Sequence, residues 1–138
     1  MLLARGGRDA AAVWEDYALI GRWPAWSPQI RSVQASADAI APGVTGTVRA
    51  PLGVRIRFRV TAVDEAARSW RWVVQAAGIT AGLEHRVLAV PGGCLTTLRI
   101  EGPVVLAAAY APAALLALRR LVAAPGTPGA VPAGPSDR

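Results

Sequence analysis

Three features of the chain predict an α+β fold, a curved antiparallel sheet covered on one face by helices. Between Arg31 and Glu101 six short runs alternate apolar and polar residues, the period-two pattern of strands with one buried face. Turn chemistry separates the runs at Pro42-Gly43, Pro51-Leu52-Gly53, Asp64 to Ala67, Ala77-Gly78 and Gly92-Gly93, each short enough for a simple meander. A helical pattern brackets the sheet on either side. A sheet with one greasy face and helices to cover it is a container.

The first helix is expected over Arg8 to Tyr17. Asp9 can cap it, and Ala10, Val13, Trp14 and Tyr17 fall on one apolar face. In Arg22-Trp23-Pro24-Ala25-Trp26-Ser27-Pro28 two prolines disfavour a regular helix, so a bent connector holding two indoles is expected. Arg31 to Asp38 reads as a weak edge strand and Val44 to Ala50 as the next. Pro51-Leu52-Gly53 is a hairpin loop with glycine where positive φ is easiest. Val54 to Val63 is the strongest strand, since arginine and apolar residues alternate through Val54-Arg55-Ile56-Arg57-Phe58-Arg59-Val60. Arg68 to Gln75 carries Trp70, Trp72 and Val74 on one face, and Ile79 to Val90 follows. A two-residue Gly92-Gly93 loop would pair Pro91 with Cys94, Val87 with Leu98 and His85 with Ile100. The last helix opens at Gly102-Pro103 and runs to about Ala123. Its stripe is Leu106, Tyr110, Ala113, Ala117 and Leu121, with a kink expected at Pro112. Residues 1–123 form the domain, and the Pro/Gly/Ala-rich 124–138 reads as a disordered tail.

Composition narrows the function classes. At 138 residues, 53% hydrophobic and 17% charged, the chain can bury a sizeable core. Its net charge of +6 rests on 15 basic residues, every one an arginine. That balance suits nucleic acid or an anionic membrane, but arginine without lysine, amid abundant Ala, Gly and Pro, equally marks a GC-rich coding sequence. One cysteine, Cys94, excludes an internal disulfide. Met1 to Gly7 is too poor in apolar residues for a signal-peptide core, so a cytoplasmic location is expected. The uncharged stretch Pro103 to Leu118 would span roughly 24 Å as a helix, short of a ~30 Å hydrocarbon core.

His85, the sole histidine, shares a strand face with Leu83 and Val87 and therefore points inward. It is either a polar anchor or proton-transfer group in an apolar pocket, or a core histidine satisfied by a hydroxyl such as Tyr17 or Tyr110. Trp23, Trp26, Trp70 and Trp72 either fill space or wall a cavity. Arg49, Arg55, Arg57, Arg59 and Arg71 form a basic outer surface, read as a solvated face or as a dock for anions. Nucleic acid is not an expected partner, because the indoles alternate with Arg71 and so face inward. No Cys/His cluster, phosphate loop or nucleophile with an evident base is present in the sequence, so no cofactor or metal is expected.

These residues carry a resemblance. Val13-Trp14, the Trp23-to-Pro28 connector, Pro42-Gly43, Val63-Asp64, Trp70-Arg71-Trp72, Glu84-His85-Arg86-Val87 and Gly102-Pro103 are similar to the START-like (SRPBCC) superfamily. Within it the chain looks most like bacterial polyketide cyclase/dehydrase-like proteins, over roughly residues 8 to 123. The resemblance implies a helix-grip fold with a curved meander wrapped around a long C-terminal helix. It also implies a hydrophobic cavity for a lipid- or polyketide-like molecule, without implying an enzyme. Such proteins open with a long strand, and Met1 to Arg5 leave room only for a short one: either that strand is stunted or the true start lies upstream. An open edge invites pairing, so a monomer or weak homodimer is expected.

The expected cavity wall is Val48, Ile56, Phe58, Val60, Trp72, Val74, Leu83, His85, Val87, Leu98 and Ile100. Leu106 and Tyr110 would come from the lid helix, and Trp23 and Trp26 would sit at the rim. Binding or carriage of a small hydrophobic ligand is the expected function. The alternative is a polyketide cyclase/aromatase-type enzyme using His85 and Tyr110, without metal or nucleotide cofactor. A third reading is anionic-lipid or nucleic-acid binding through the outer arginines.

Overall fold

A computed structural model describes residues 1–123 and, over 104–110, the backbone alone. The elements run β1 (Leu2–Gly6), α1 (Ala10–Ala18), α2 (Trp23–Trp26), β2 (Ser32–Ala35), β3 (Thr45–Arg49), β4 (Arg55–Asp64), β5 (Ser69–Ala76), β6 (Ile79–Val90), β7 (Gly93–Glu101) and α3 (Val104–Val122). Among the described residues the strands form one antiparallel sheet of seven, in the order β1-β7-β6-β5-β4-β3-β2. The meander is as expected, and a short first strand, β1, pairs with the last. This is the helix-grip arrangement. The residues of the proposed tail, 124–138, lie outside the described residues.

Local chemistry accounts for the helix ends. The Asp9 carboxylate accepts from the Ala11 N–H at 3.1 Å and caps α1. Pro24 fits the first turn of α2, which ends after a single turn, immediately before Ser27-Pro28. At the other end of the fold, α3 continues unbroken through Pro112, whose ring is exposed. Its last carbonyls are met by Arg8: the backbone N–H reaches Val122 O at 3.3 Å and the guanidinium reaches Leu121 O at 2.9 Å. The same guanidinium pairs with Asp16 at 2.8 Å, so one side chain ties β1, α1 and α3 together. Gly6 is required at this junction, since a Cβ there would overlap the Val122 carbonyl. Among the described residues no helix is long and apolar enough to cross a membrane.

Two details of register differ from the alternation. The β6–β7 loop is Pro91-Gly92, not Gly92-Gly93: Val90 pairs with Gly93, Val87 with Thr96, and His85 with Leu98. Proline presets the φ of the first turn residue and Gly92 takes the positive φ of 81° that the second requires, the signature of a type II turn. The shift moves each pairing by two residues and leaves every side chain on its expected face. In β4 a bulge between Val60 and Ala62 resets the phase, so Val63 turns back toward the core.

The apolar side of the sheet packs against α1, α2 and α3. Val13, Tyr17, Trp23, Val60, Trp70, Val87, Leu98, Leu118 and Leu121 are all buried there. The opposite face carries the strand arginines, of which Arg49, Arg55, Arg57, Arg59 and Arg71 are exposed, while His85 and Thr96 are polar strand residues buried on the inner side.

Candidate functional site

Among the described residues two spaces lie between the sheet and the helices. The larger, about 260 Å³, is walled by Val48, Ile56, Trp72, Val74, Leu83 and Ile100 from the strands. Ala50, Ala76, Ile79 and Ala81 complete its sheet side, and Gln29, Ile30 and Ala113 its helix side. None of these described lining residues is charged. Its deep end is Trp72 and Leu83, which are buried, whereas Ala50, Ala76 and Ile79 beside the β3–β4 and β5–β6 hairpins are partly or fully exposed. The cavity therefore meets solvent at the hairpin end of the sheet.

The smaller space, about 30 Å³, holds roughly one water-sized group and lies among Trp23, Trp26, Trp70, Trp72, His85 and Leu98. Trp72, with Gln29 and Ile30, borders both spaces and is the partition between them. Its indole is held by rings on several sides: Trp23 at 5.1 Å, Trp70 at 5.2 Å and Phe58 at 5.5 Å between centroids.

Below this partition runs a buried chain of hydrogen bonds. Trp72 Nε1 donates to His85 Nε2 at 3.0 Å. An indole N–H can only donate, so Nε2 is the bare nitrogen of the neutral ring and Nδ1 carries the proton. Nδ1 lies 3.2 Å from the Tyr17 hydroxyl, which lies 2.8 Å from Thr96 Oγ1. Thr96 in turn donates to the Arg86 carbonyl at 3.1 Å. With each proton assigned once, the bonds run in one direction, from Trp72 through His85 and Tyr17 to Thr96 and the backbone. Burial lowers the His85 pKa from 6.5 to about 3, so the ring is neutral near pH 7. His85 also stacks on Trp70, with centroids 4.8 Å apart and planes at 12°. Among the described residues Trp70 Nε1 is buried without a hydrogen-bond partner.

The residues expected to line a cavity thus separate into groups. Val48, Ile56, Trp72, Val74, Leu83 and Ile100 come together around the larger space. Trp23, Trp26, His85 and Leu98 border the smaller one, more deeply than the rim position expected of the two tryptophans. Trp23 is buried and donates to the Tyr17 carbonyl at 3.0 Å; Trp26 is half-buried and donates to the Asp16 carbonyl at 3.3 Å. Val60 and Val87 are packed core, and Phe58 is a core ring against Trp23 and Trp72. The side chains of Leu106 and Tyr110 lie outside the described residues. The alternation missed the alanines. Ala76 and Ala81 fall on the inward phase of their strands, and an inward residue too small to fill its share of the interior is the signal for a void.

Among the described residues no group of three or more His, Cys, Asp or Glu side chains could hold a metal. Burial raises the Cys94 pKa, which disfavours the reactive thiolate.

Comparison with known proteins agrees with this architecture. A family model described as polyketide cyclase / dehydrase and lipid transport matches residues 7–126, and the chain belongs to that family. No curated protein matches it by sequence. Among solved structures, the crystal structure of Ara h 8.0201 superposes with a TM-score of 0.71 at 14% identity, covering 86% of this chain and 91% of that one. At that identity the likeness speaks for the fold.

Proposed function

We propose that this member of the polyketide cyclase / dehydrase and lipid-transport family binds and carries a small apolar molecule in the cavity between sheet and α3. The observation that carries the reading is the largely apolar lining, uncharged among the described residues, of a space of about 260 Å³. That volume sits at the lower edge of the range for ligand pockets, roughly 300–1,000 Å³. A compact molecule of a few rings or a short chain fits this volume better than a long-chain lipid does. Burial of apolar ligand surface supplies the affinity, and the Trp72 face and the Gln29 side chain are the features that orient it.

The competing reading, a cyclase-type enzyme, needs a group that exchanges protons with the ligand. Of the candidates His85 and Tyr110, His85 is the one whose side chain is described, and both its nitrogens are already engaged, by Trp72 and Tyr17. It also has little basicity near neutral pH. Carriage therefore fits the site better than acid–base catalysis.

Native mass spectrometry of the purified protein, with solvent extraction of what it retains, tests the proposal. A bound apolar molecule, or uptake of a fluorescent apolar probe by the empty protein, is the expected result. Failure on both counts overturns the reading and leaves an unoccupied packing defect. His85→Phe separates carriage from catalysis once circular dichroism shows it folded. Probe affinity within about threefold of the parent, roughly 0.7 kcal/mol, is expected for carriage. Lost turnover of a polyketide-like substrate with retained binding would support the enzyme instead.

A further inference from the structure

We infer that the hairpin end of the sheet, around the mouth of the cavity, docks on anionic lipid bilayers by seating the β3–β4 hairpin tip among the headgroups. Leu52 at that tip is 99% exposed. It also sits at φ 65°, a left-handed conformation that glycine or asparagine adopts at lower cost. A leucine there gains nothing from the fold. Val54, two residues on, is 46% exposed, and Ile79 on the neighbouring β5–β6 hairpin is 42% exposed. Single exposed aliphatics are ordinary, but these three project from adjacent hairpins at one end of the molecule.

Cations flank them. Arg49 and Arg55 are directly opposite each other in the β3–β4 pairing, a like-charge juxtaposition that costs stability. Arg57 and Arg59 continue the row along β4. All four are exposed, and among the described residues none has an ion-pair partner. Arg55 and Arg57 also line an outer groove with Gln75, Ala77 and Gly78, which joins the two hairpins into one surface. Unpaired guanidinium groups behind a protruding aliphatic tip complement an anionic headgroup layer over an apolar interior. Nucleic acid fits less well, because among the described residues no aromatic side chain is one of the large exposed hydrophobics. Ala50 and Ile79 belong both to this end and to the cavity lining. A docked protein would therefore open its cavity toward the bilayer. That last consequence rests on the carriage reading above; the docking itself does not.

Co-sedimentation with vesicles of mixed phosphatidylglycerol and phosphatidylcholine tests the docking. The protein is expected to pellet with these vesicles at low salt, and to stay in solution with phosphatidylcholine alone. Leu52→Asn suits the backbone and should leave the melting temperature unchanged or higher, yet weaken vesicle binding roughly tenfold. Arg55→Gln should weaken it roughly fivefold. Arg59→Gln should matter less, because Arg59 lies about 13 Å farther from the tip along the strand. No binding to anionic vesicles overturns the inference. So does Leu52→Asn binding as well as the parent, or binding to duplex DNA as tight as to vesicles and untouched by that substitution. Uptake of a fluorescent apolar probe in vesicle-free buffer keeps the two proposals apart. A protein that takes up probe without docking refutes only this inference, and one that docks but neither retains an apolar molecule nor takes up probe refutes only carriage.

Discussion

The concave face of the sheet has two halves built on opposite plans. Over the middle of β5, β6 and β7, Tyr17, Trp23, Trp70, Trp72 and His85 pack with ring centroids 4.8 to 5.7 Å from a neighbouring ring and leave room for about one small group. Toward the hairpins the same strands present Ala76, Ala81, Val74 and Ile79, and an open space of about 260 Å³ remains. Both halves belong to one antiparallel sheet, and the small side chains of Ala50, Ala76 and Ala81 leave the hairpin half open where rings fill the other. The difference teaches that the fold is anchored by rings at one end, which frees the other end to stay empty.

Truncation in each half is the strongest way to break that comparison. Trp23→Ala removes a buried indole packed on Phe58, Trp70 and Trp72 and should cost about 3–5 kcal/mol in urea unfolding. Ile56→Ala removes three carbons from a side chain that already borders empty space, and should cost under about 2 kcal/mol. Equal losses would mean that the two halves do not differ in packing.

Acid should act on the ring-filled half in particular. His85 titrates near 6.5 in the unfolded chain and near 3 when folded. A depressed histidine pKa means the unfolded state binds the extra proton first. This contribution to stability is therefore full above pH 6.5 and is lost as pH falls toward 3, by up to roughly 4 kcal/mol. Protonation also gives Nε2 a hydrogen where Trp72 needs an acceptor. Unfolding free energy measured by urea titration from pH 7 to pH 3.5 should fall steeply for the parent and much less for His85→Phe. Parallel slopes would remove His85 as the source.

The sequence was informative about the sheet for a definite reason: alternation reports which face a residue takes, and face does not depend on exact register. Hence Ile56, Val74, Leu83 and Ile100 are found on the cavity wall although the β6–β7 pairing is displaced by two residues from the Gly92-Gly93 expectation. The same insensitivity explains what was missed. Which hydroxyl meets His85 depends on where α1 crosses the sheet, and Tyr17 and Tyr110 are equivalent to any pattern of polarity. The position of the void depends on a sum of volumes over several strands and α3, so Ala50 and Ala113 carry no local mark of it. Trp23 and Trp26, read as a rim from the nearby prolines, lie deeper because α2 turns the indoles under the sheet, where backbone carbonyls of Asp16 and Tyr17 accept their N–H groups.

Filling the void tests the comparison from the opposite side and should move stability least. Ala81 is buried, lies on β6 between the hairpin and Leu83, and faces the cavity. Placing leucine there adds three carbons to a region with space for them, so overpacking strain and new apolar contact should nearly offset, within about 1.5 kcal/mol of the parent. Uptake of the apolar probe should nevertheless fall at least tenfold, since the added side chain occupies volume the ligand requires. In the ring-filled half the corresponding enlargement, Thr96→Leu, would meet closed packing and lose the Tyr17 partner as well. If Ala81→Leu unfolded the protein as readily as Thr96→Leu, the open half would have to be as tightly packed as the closed one. Probe uptake that survived Ala81→Leu would move the binding site away from β6.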